Sequence, residues 1–153
     1  MAKTAKKLTA SQEDYLEAIL LLVREGRVAR VRDIAGHLGV GKPSVTAALK
    51  GLAKRKLVNY DPYQYITLTD AGREVAERIE RRHNVLRDFL QNILGVDAET
   101  AEANACRMEH AVDQQVMQRL KAFAEFAETC PQFDRAQWLE ALSAEGGCDG
   151  CRK

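Results

Sequence analysis

One stretch in the second half of the chain carries three side chains that can bind a metal. Cys106, Glu109 and His110 follow one another at i, i+3 and i+4, which places a thiolate, a carboxylate and an imidazole on one face of a helix. A divalent first-row metal accepts this mixture of sulfur, oxygen and nitrogen ligands. The spacing therefore predicts about half of a coordination sphere.

Further candidate ligands lie elsewhere in the chain. Asp14 and Glu17 repeat the i, i+3 spacing, and His83 lies in a long apolar-periodic segment. Taken singly, each has a plain structural explanation: the acids as a charged helix face, His83 as a surface histidine, and Cys106 as a small buried residue. A metal can change how two elements pack only if it binds ligands from both of them. The set as a whole therefore predicts a metal that controls conformation.

A catalytic use of the same cluster is a rival interpretation. Cys106 and His110 lie one turn apart, and a cysteine next to a histidine can be a nucleophile. No glycine-rich oxyanion loop or substrate-pocket motif accompanies them in the sequence. The protein is therefore predicted not to be an enzyme.

The remaining cysteines form a second candidate site. Cys130 precedes a Cys148-x-x-Cys151 pair, a spacing that suits a thiolate metal site or a redox pair, because disulfides are uncommon in cytosolic proteins. We hypothesise that these three cysteines bind a second metal such as zinc or act as a redox clasp. The alternative is a flexible tail with incidental thiols.

The charge is unevenly distributed along the chain. A net charge of +1 divides into +7 over residues 1–60 and −6 over residues 61–153. A basic half suits nucleic acid and an acidic half suits cations, although solvated helix faces give the same pattern. The longest apolar run, Ala18 to Val23, is too short to cross a bilayer. The N-terminus is polar, contains several lysines and has no apolar signal segment. Together with the short apolar run, this predicts a cytoplasmic protein that does not enter a membrane.

The first seventy residues have the pattern of a winged helix-turn-helix. Apolar periodicity predicts one helix from Ser11, which is expected to cap it, and two short helices around Gly39. A strand, turn and strand follow as the wing. The predicted spans are 11–25, 31–38 and 42–55 for the helices, and 57–60 and 65–69 for the strands.

A helix-turn-helix places its second helix in the major groove, with the N-terminal residues of that helix at the base edges. Lysines and hydroxyl groups there can contact phosphates or bases, and a proline can contact a thymine methyl group. The predicted DNA-binding residues are Arg30, Arg32, Lys42, Pro43, Ser44, Thr46, Lys50 and, in the wing turn, Gln64. A basic but merely solvated helix pair is the alternative.

The rest of the chain is predicted to be helical. Helices are expected from about residues 71 to 94, 97 to 111, 113 to 128 and 135 to 142. The predicted fold is mostly α, an N-terminal winged helix-turn-helix followed by an all-helical metal-binding and dimerization domain. The predicted domains are residues 1–72 and 73–130, with a cysteine-containing tail at 131–153.

Six segments of the sequence together resemble one known family. The resemblance covers about residues 9 to 128 in order, and its most specific element is Ala105–His110. The chain resembles the diphtheria toxin repressor family, which includes iron-dependent regulators and manganese transport regulators. The segments are Ser11–Glu17, Asp33–Ala35, Pro43–Thr46, Leu68–Gly72, Arg82–His83 and Ala105–His110.

The resemblance implies a homodimer that binds palindromic duplex operators of metal-homeostasis genes when metal is bound. Carried over by position, it makes Asp14, Glu17, His83, Cys106, Glu109 and His110 the metal ligands. Asp14 matches the manganese type and Cys106 the iron type. The softer thiolate favours Fe(II) over Mn(II), and Zn(II) or Co(II) are expected to substitute.

Two positions depart from the iron type of the family. Arg87 and Glu102 stand where iron-type members have ligands of an ancillary metal site, and because Arg87 cannot be a ligand, the resemblance does not extend to such a site. The number of metals therefore stays open. A different class of regulator also stays open, namely a winged helix that responds to an organic ligand or to oxidation of its cysteines.

Overall fold

The computed structural model describes residues 8–62 and 64–143. Within those ranges the order of elements is three helices, a two-stranded hairpin and four further helices. The bounds are α1 (Ala10–Arg24), α2 (Val31–Leu38), α3 (Lys42–Lys54), β1 (Val58–Asn59), β2 (Thr67–Leu68), α4 (Asp70–Asn92), α5 (Ala98–Met108), α6 (Gln114–Thr129) and α7 (Arg135–Ser143). The predicted fold class is confirmed.

The chain forms two compact units, Met1–Glu80 and Arg81–Lys153, which we call the first and the second unit. The division falls within α4. The domain limits predicted from the sequence stay a prediction. In the part of the chain that the structure describes, no helix combines the length and the apolar character needed to span a membrane.

The cap of helix α1 lies two residues earlier than predicted. The hydroxyl of Thr9 accepts from the backbone N–H of Gln12, and the side chain of Gln12 accepts from the N–H of Thr9. This reciprocal capping box satisfies two backbone donors, and it leaves Ser11 inside the helix. The prediction of Ser11 as the cap was wrong, because Gln12 stands at the third helical position only when Thr9 is the cap.

The three helices of the first unit pack around one apolar core. Leu16 and Ile19 of α1, Ile34 of α2, and Leu49 and Leu52 of α3 are fully buried there. Gly39 adopts a φ of +64° after α2, a conformation that glycine takes without steric cost. The helix-turn-helix is thus built as the sequence predicts.

The wing is shorter than predicted. Val58 pairs with Leu68 and Asn59 with Thr67 in antiparallel register. Ile66 donates its N–H to the carbonyl of Ala29 at 3.0 Å, so this group is not available to β1. The ladder therefore has only two pairs of residues, and the predicted strand ends at Tyr60 and Tyr65 lie outside it.

The start of α4 lies against the beginning of the wing. The hydroxyl of Thr69 donates to the carbonyl of Lys56 and accepts from the N–H of Gly72. A Cβ atom at Gly72 would lie 1.8 Å from the carbonyl oxygen of Leu57. Only glycine allows α4 to approach Leu57, the residue before β1, so closely.

The second unit has a smaller core. Leu86 of α4, Ala105 of α5 and Met117 of α6 form its buried centre. Helices α5 and α6 are capped by Asp97 and Asp113, whose carboxylates accept from the N–H groups of Thr100 and Val116. Because this core is small, large apolar side chains stay exposed on α6, among them Val116, Phe123 and Phe126.

Helix α7 is attached by aromatic contacts and one hydrogen bond. The indole Nε1 of Trp138 donates to the carbonyl of Ile93 at 2.6 Å. The ring of Trp138 lies 6.1 Å from that of Phe133, which in turn contacts Phe123 and Phe126. The C-terminal end of α4 is therefore covered by α7.

Candidate metal centre and nucleic-acid interface

Glu109 is at the centre of a cluster of ligand atoms in the second unit. It follows the last residue of α5, with its N–H bonded to the carbonyl of Ala105. Its Oε2 lies 2.7 Å from Nδ1 of His83, which α4 contributes. Its Oε1 lies 3.2 Å from Nε2 of His110. Helix α4 and the turn after α5 thus bring two imidazoles to one carboxylate.

The burial of Glu109 fits a cation. The residue is 1 % exposed, and its Oε1 makes no hydrogen bond to any residue that the structure describes. A buried carboxylate is costly unless a positive charge compensates it. Imidazole nitrogens and carboxylate oxygens are also ligands of divalent first-row metals. The donor set and the buried carboxylate therefore both fit a bound metal.

His83 is affected most strongly by this arrangement. Its hydrogen bond to Glu109 raises the pKa of the imidazole from 6.5 to about 9, with Glu102 adding to the effect and desolvation opposing it. In the metal-free protein the ring is therefore protonated at neutral pH and neutralises Glu109. A metal that binds there must displace this proton.

Arg82 holds the turn that carries the cluster. Its guanidinium donates to the carbonyl of Val112, and the N–H groups of Ala111 and Val112 both bond to the carbonyl of Met108. The turn containing Glu109 and His110 is thereby tied to the helix that carries His83. Sequence reasoning assigned Arg82 no role, because its contact depends on two helices meeting.

The other three predicted ligands lie on α1 and α5. Asp14 and Glu17 lie one turn apart on α1 in the first unit, and both are half-buried. Cys106 is exposed on α5. Among the described residues, it joins no group of three ligand atoms within 4.8 Å of one another. The ligand roles of these three residues stay predictions.

The thiols of the tail are mostly outside the described residues. Cys130 follows α6 as its C-terminal cap and is half-buried. Cys148 and Cys151 belong to residues 144–153, which lie outside the described ranges. The second metal or redox site therefore stays a hypothesis.

The first unit has a basic groove at the place where DNA contact is predicted. Its volume is about 1250 Å³. Arg30 and Arg32 at the start of α2, Lys42 at the start of α3 and the wing residues Gln64 and Tyr65 are among the residues that line it. A groove with three cations suits a phosphate backbone.

The remaining predicted contacts lie on α3. Lys42, Pro43 and Ser44 form its exposed first turn, Thr46 is half-buried, and Lys50 is exposed one turn later. Since residues near the N-terminus of a recognition helix reach base edges, this placement agrees with the prediction. Their contacts with DNA stay a prediction.

Tyr65 is a feature of the wing that sequence reasoning missed. The guanidinium carbon of Arg30 lies 5.2 Å from the centre of the Tyr65 ring, and an Arg30 Nη2 lies 3.4 Å from the tyrosine hydroxyl. The sequence pattern assigned Tyr65 only to a strand. Its contact with a residue 35 positions away had no local signal.

The fold and the cluster define a class of protein: a winged-helix regulator with a helical metal-binding unit. Two family models match the chain. "Iron dependent repressor, N-terminal DNA binding domain" matches residues 7–66, and "Iron dependent repressor, metal binding and dimerisation domain" matches residues 69–136. The chain belongs to the iron-dependent repressor family, which confirms the resemblance drawn from the sequence.

Relatives cover most of the chain. An uncharacterized HTH-type transcriptional regulator of Methanocaldococcus jannaschii is 40% identical over 119 residues, which are 77% of this chain and 95% of that protein. The HTH-type transcriptional regulator MntR of Bacillus pumilus is 36% identical over 134 residues, 88% of this chain and 91% of that protein.

A solved structure of the manganese regulator SloR matches with a TM-score of 0.69 and 30% identity, over 81% of this chain. The match spans 58% of the SloR chain, so this chain corresponds to a little more than half of that protein. The relatives are transcriptional regulators.

Proposed function

We propose that the protein is a homodimeric transcriptional repressor that binds duplex DNA when Fe(II) or Mn(II) is bound at Glu109, and that it controls metal-homeostasis genes. The observation that carries the proposal is the buried Glu109 carboxylate between the imidazoles of His83 and His110. The basic groove of the winged helix is the proposed DNA-binding surface. Membership of the iron-dependent repressor family supports both parts.

The proposed ligands are those expected from the sequence. They are Asp14, Glu17, His83, Cys106, Glu109 and His110. When bound, the metal supplies positive charge that carboxylates and imidazoles from separate elements share. Metal can promote DNA binding only if it binds more tightly to the DNA-competent arrangement than to the others. Ligands drawn from both units would provide that difference.

The proposed DNA contacts are those of the exposed start of α3 and of the groove. Lys42, Pro43, Ser44, Thr46 and Lys50 would reach base edges and phosphates, while Arg30, Arg32 and Gln64 would contact the backbone. A two-fold symmetric dimer of helix-turn-helix units reads two inverted half-sites. We therefore propose a palindromic operator.

The preference for Fe(II) depends on Cys106. The soft thiolate of Cys106 favours Fe(II), Co(II) or Zn(II), whereas the harder carboxylate of Asp14 favours Mn(II). If Cys106 is a ligand, Cys106→Ser removes the thiolate-to-Co(II) charge-transfer absorption and lowers the affinity for Fe(II) more than for Mn(II). Unchanged absorption would assign the preference to Mn(II).

The proposal is tested by anaerobic DNA-binding titrations with Fe(II), Mn(II), Zn(II) and Co(II), with metal analysis of each sample. The DNA is a duplex enriched from a random library in the presence of the metal. We expect metal to raise the affinity of the wild-type protein at least about 10-fold, a coupling of about 1.4 kcal/mol.

Glu109→Gln keeps the shape of the side chain but removes its charge, and should abolish the metal effect. Glu128→Gln, a change at an exposed residue of α6, is the matched control and should keep it. DNA affinity that none of the four metals changes would contradict the proposal. It would favour a regulator that responds to an organic ligand or to cysteine oxidation.

A further inference from the structure

Glu102 contacts the metal cluster from outside the predicted ligand set. It lies on α5, one turn before Cys106, and its side chain is 59% exposed. Its Oε1 lies 3.0 Å from Nε2 of His83, whose side chain is only 12% exposed. The carboxylate thus reaches inward from the surface to a nearly buried ring.

Both nitrogens of His83 therefore face a carboxylate. Nδ1 lies 2.7 Å from Oε2 of Glu109, and Nε2 lies 3.0 Å from Oε1 of Glu102. The two carboxylates differ in burial, because Glu109 is 1 % exposed whereas the side chain of Glu102 is 59% exposed. Nδ1 faces the buried Glu109, next to which His110 also contributes a nitrogen, and Nε2 faces the exposed Glu102.

An imidazole that binds one metal ion uses one nitrogen and keeps a proton on the other. The protonated nitrogen usually donates to a carboxylate or a carbonyl, which fixes the tautomer and the orientation of the ring. The nitrogen of His83 next to Glu109 is the one placed to bind metal. The other nitrogen already has an acceptor.

We propose that Glu102 is the positioning residue of His83: it accepts the Nε2–H and thereby keeps Nδ1 directed at the metal. This inference rests on the proposed metal-sensing function. Glu102 itself stays on the solvent side of the ring. Its exposure and its contact with Nε2, the nitrogen that does not face Glu109, fit an orienting contact.

The hydrogen bond and the charge of Glu102 can be separated by substitution. Glu102→Ala removes the acceptor, whereas Glu102→Gln keeps an oxygen acceptor and removes the charge. Glu99→Ala alters an exposed glutamate in the first turn of the same helix and is the matched control. Both positions are at the surface of α5, so the three variants should fold, which circular dichroism checks.

The first measurement is the affinity of each metal-free protein for Mn(II) and Zn(II), by competition with a chelating dye. We expect Glu102→Ala to lower the affinity about 10-fold, the lower end of the range for such partners. Glu102→Gln should restore most of this loss, and Glu99→Ala should have no effect. Equal affinities for Glu102→Ala and Glu99→Ala would overturn the inference, as would a Gln variant as weak as the Ala variant.

The second measurement identifies the nitrogens directly. In the Zn(II)-loaded protein, nitrogen-15 NMR of the histidine rings should show Nδ1 of His83 bound to zinc and Nε2 carrying a proton. In Glu102→Ala that proton should exchange faster with water. Zinc on Nε2 in the wild-type protein would overturn the inference.

The same titration separates the two proposals. His83→Ala should bind metal far more weakly than any Glu102 variant. If His83→Ala bound Mn(II) and Zn(II) as tightly as the wild type, the proposed metal centre itself would be contradicted. If His83 matters and Glu102 does not, only the positioning role fails.

Discussion

At the scale of single residues, the metal-free protein compensates its buried carboxylate with a proton. Protonated His83 lies between Glu109 and Glu102 and supplies the positive charge that Glu109 needs away from water. A metal ion would supply the same charge. The cluster can therefore exist folded in both states, with proton and metal competing for His83.

This competition predicts how the stability of the metal-free protein depends on pH. The pKa of His83 is about 9 in the folded chain, above the ordinary histidine value of 6.5. Because folding raises the pKa of His83, the protonated ring stabilises the folded chain. This contribution to the free energy of unfolding is fully present below pH 6.5 and is lost as the pH rises through about 9. Urea unfolding between pH 6 and pH 10 should show this loss.

The matched variants for that experiment are two histidine changes. His83→Gln should remove this part of the pH dependence, whereas His37→Gln, at an exposed residue of α2, should keep it. Parallel loss of stability in the wild type and in His83→Gln would contradict the assignment. Chelator in every sample keeps the comparison metal-free.

The sequence could predict only part of the cluster. The i, i+3 and i+4 spacing of Cys106, Glu109 and His110 predicts one helical face, although Glu109 and His110 in fact follow the last residue of α5. The contacts of His83 with Glu102 and of Arg82 with Val112 join different helices. No local pattern contains such pairs, which is why sequence reasoning gave Arg82 no role and saw Glu102 only as a departure from an ancillary site.

At the scale of elements, the junction between the wing and α4 depends on the absence of one side chain. Gly72→Ala would place a Cβ 1.8 Å from the carbonyl oxygen of Leu57. The backbone must move, and overpacking of this kind costs about 2–3 kcal/mol. Urea unfolding followed by circular dichroism should show that loss.

Gly36→Ala is the control for this substitution. A Cβ at Gly36 meets no atom within 4 Å, and alanine is the better residue inside a helix by about 0.5–1 kcal/mol. It should be neutral or stabilising. Equal effects of the two substitutions would contradict the close approach at Gly72.

The attachment of α7 gives a second prediction for an element. Trp138→Phe keeps an aromatic ring beside Phe133 but removes the hydrogen bond to the carbonyl of Ile93. We expect a loss of about 1 kcal/mol, measured by thermal unfolding. Leu142→Ala, at an exposed residue of the same helix, should change stability by less than about 0.5 kcal/mol.

The helices were easier to predict than the strands for a physical reason. Helix signals are local: a cap such as Asp97 or Asp113, a periodic apolar face and a terminating glycine lie within one stretch of chain. The length of the wing instead depends on Ile66, whose N–H bonds to Ala29 in a distant segment. The predicted strands were therefore too long.

At the scale of the whole molecule, the uneven charge distribution has a consequence for binding. The groove of the first unit gathers Arg30, Arg32 and Lys42, although the chain as a whole is nearly neutral. DNA affinity at saturating metal should fall steeply with salt, because each phosphate contact releases counterions.

Lys42→Ala should weaken DNA binding and make the slope of log affinity against log salt about 1 unit shallower. Lys121→Ala removes the same charge from an exposed position of the second unit, where it pairs with Glu125 at 3.5 Å, and should leave the slope unchanged. Equal slopes for the two variants would mean that Lys42 contacts no phosphate.

The aromatic residues divide between the two units in a way that is useful for spectroscopy. Trp138, the single tryptophan of the chain, lies in the second unit, while the tyrosines that the structure describes, Tyr15, Tyr60 and Tyr65, lie in the first. Tryptophan emission and tyrosine absorbance therefore report on different units of the unlabelled protein. Following both signals through one denaturation shows whether the two units unfold in a single cooperative transition. Repeating the experiment with metal shows which unit the metal stabilises.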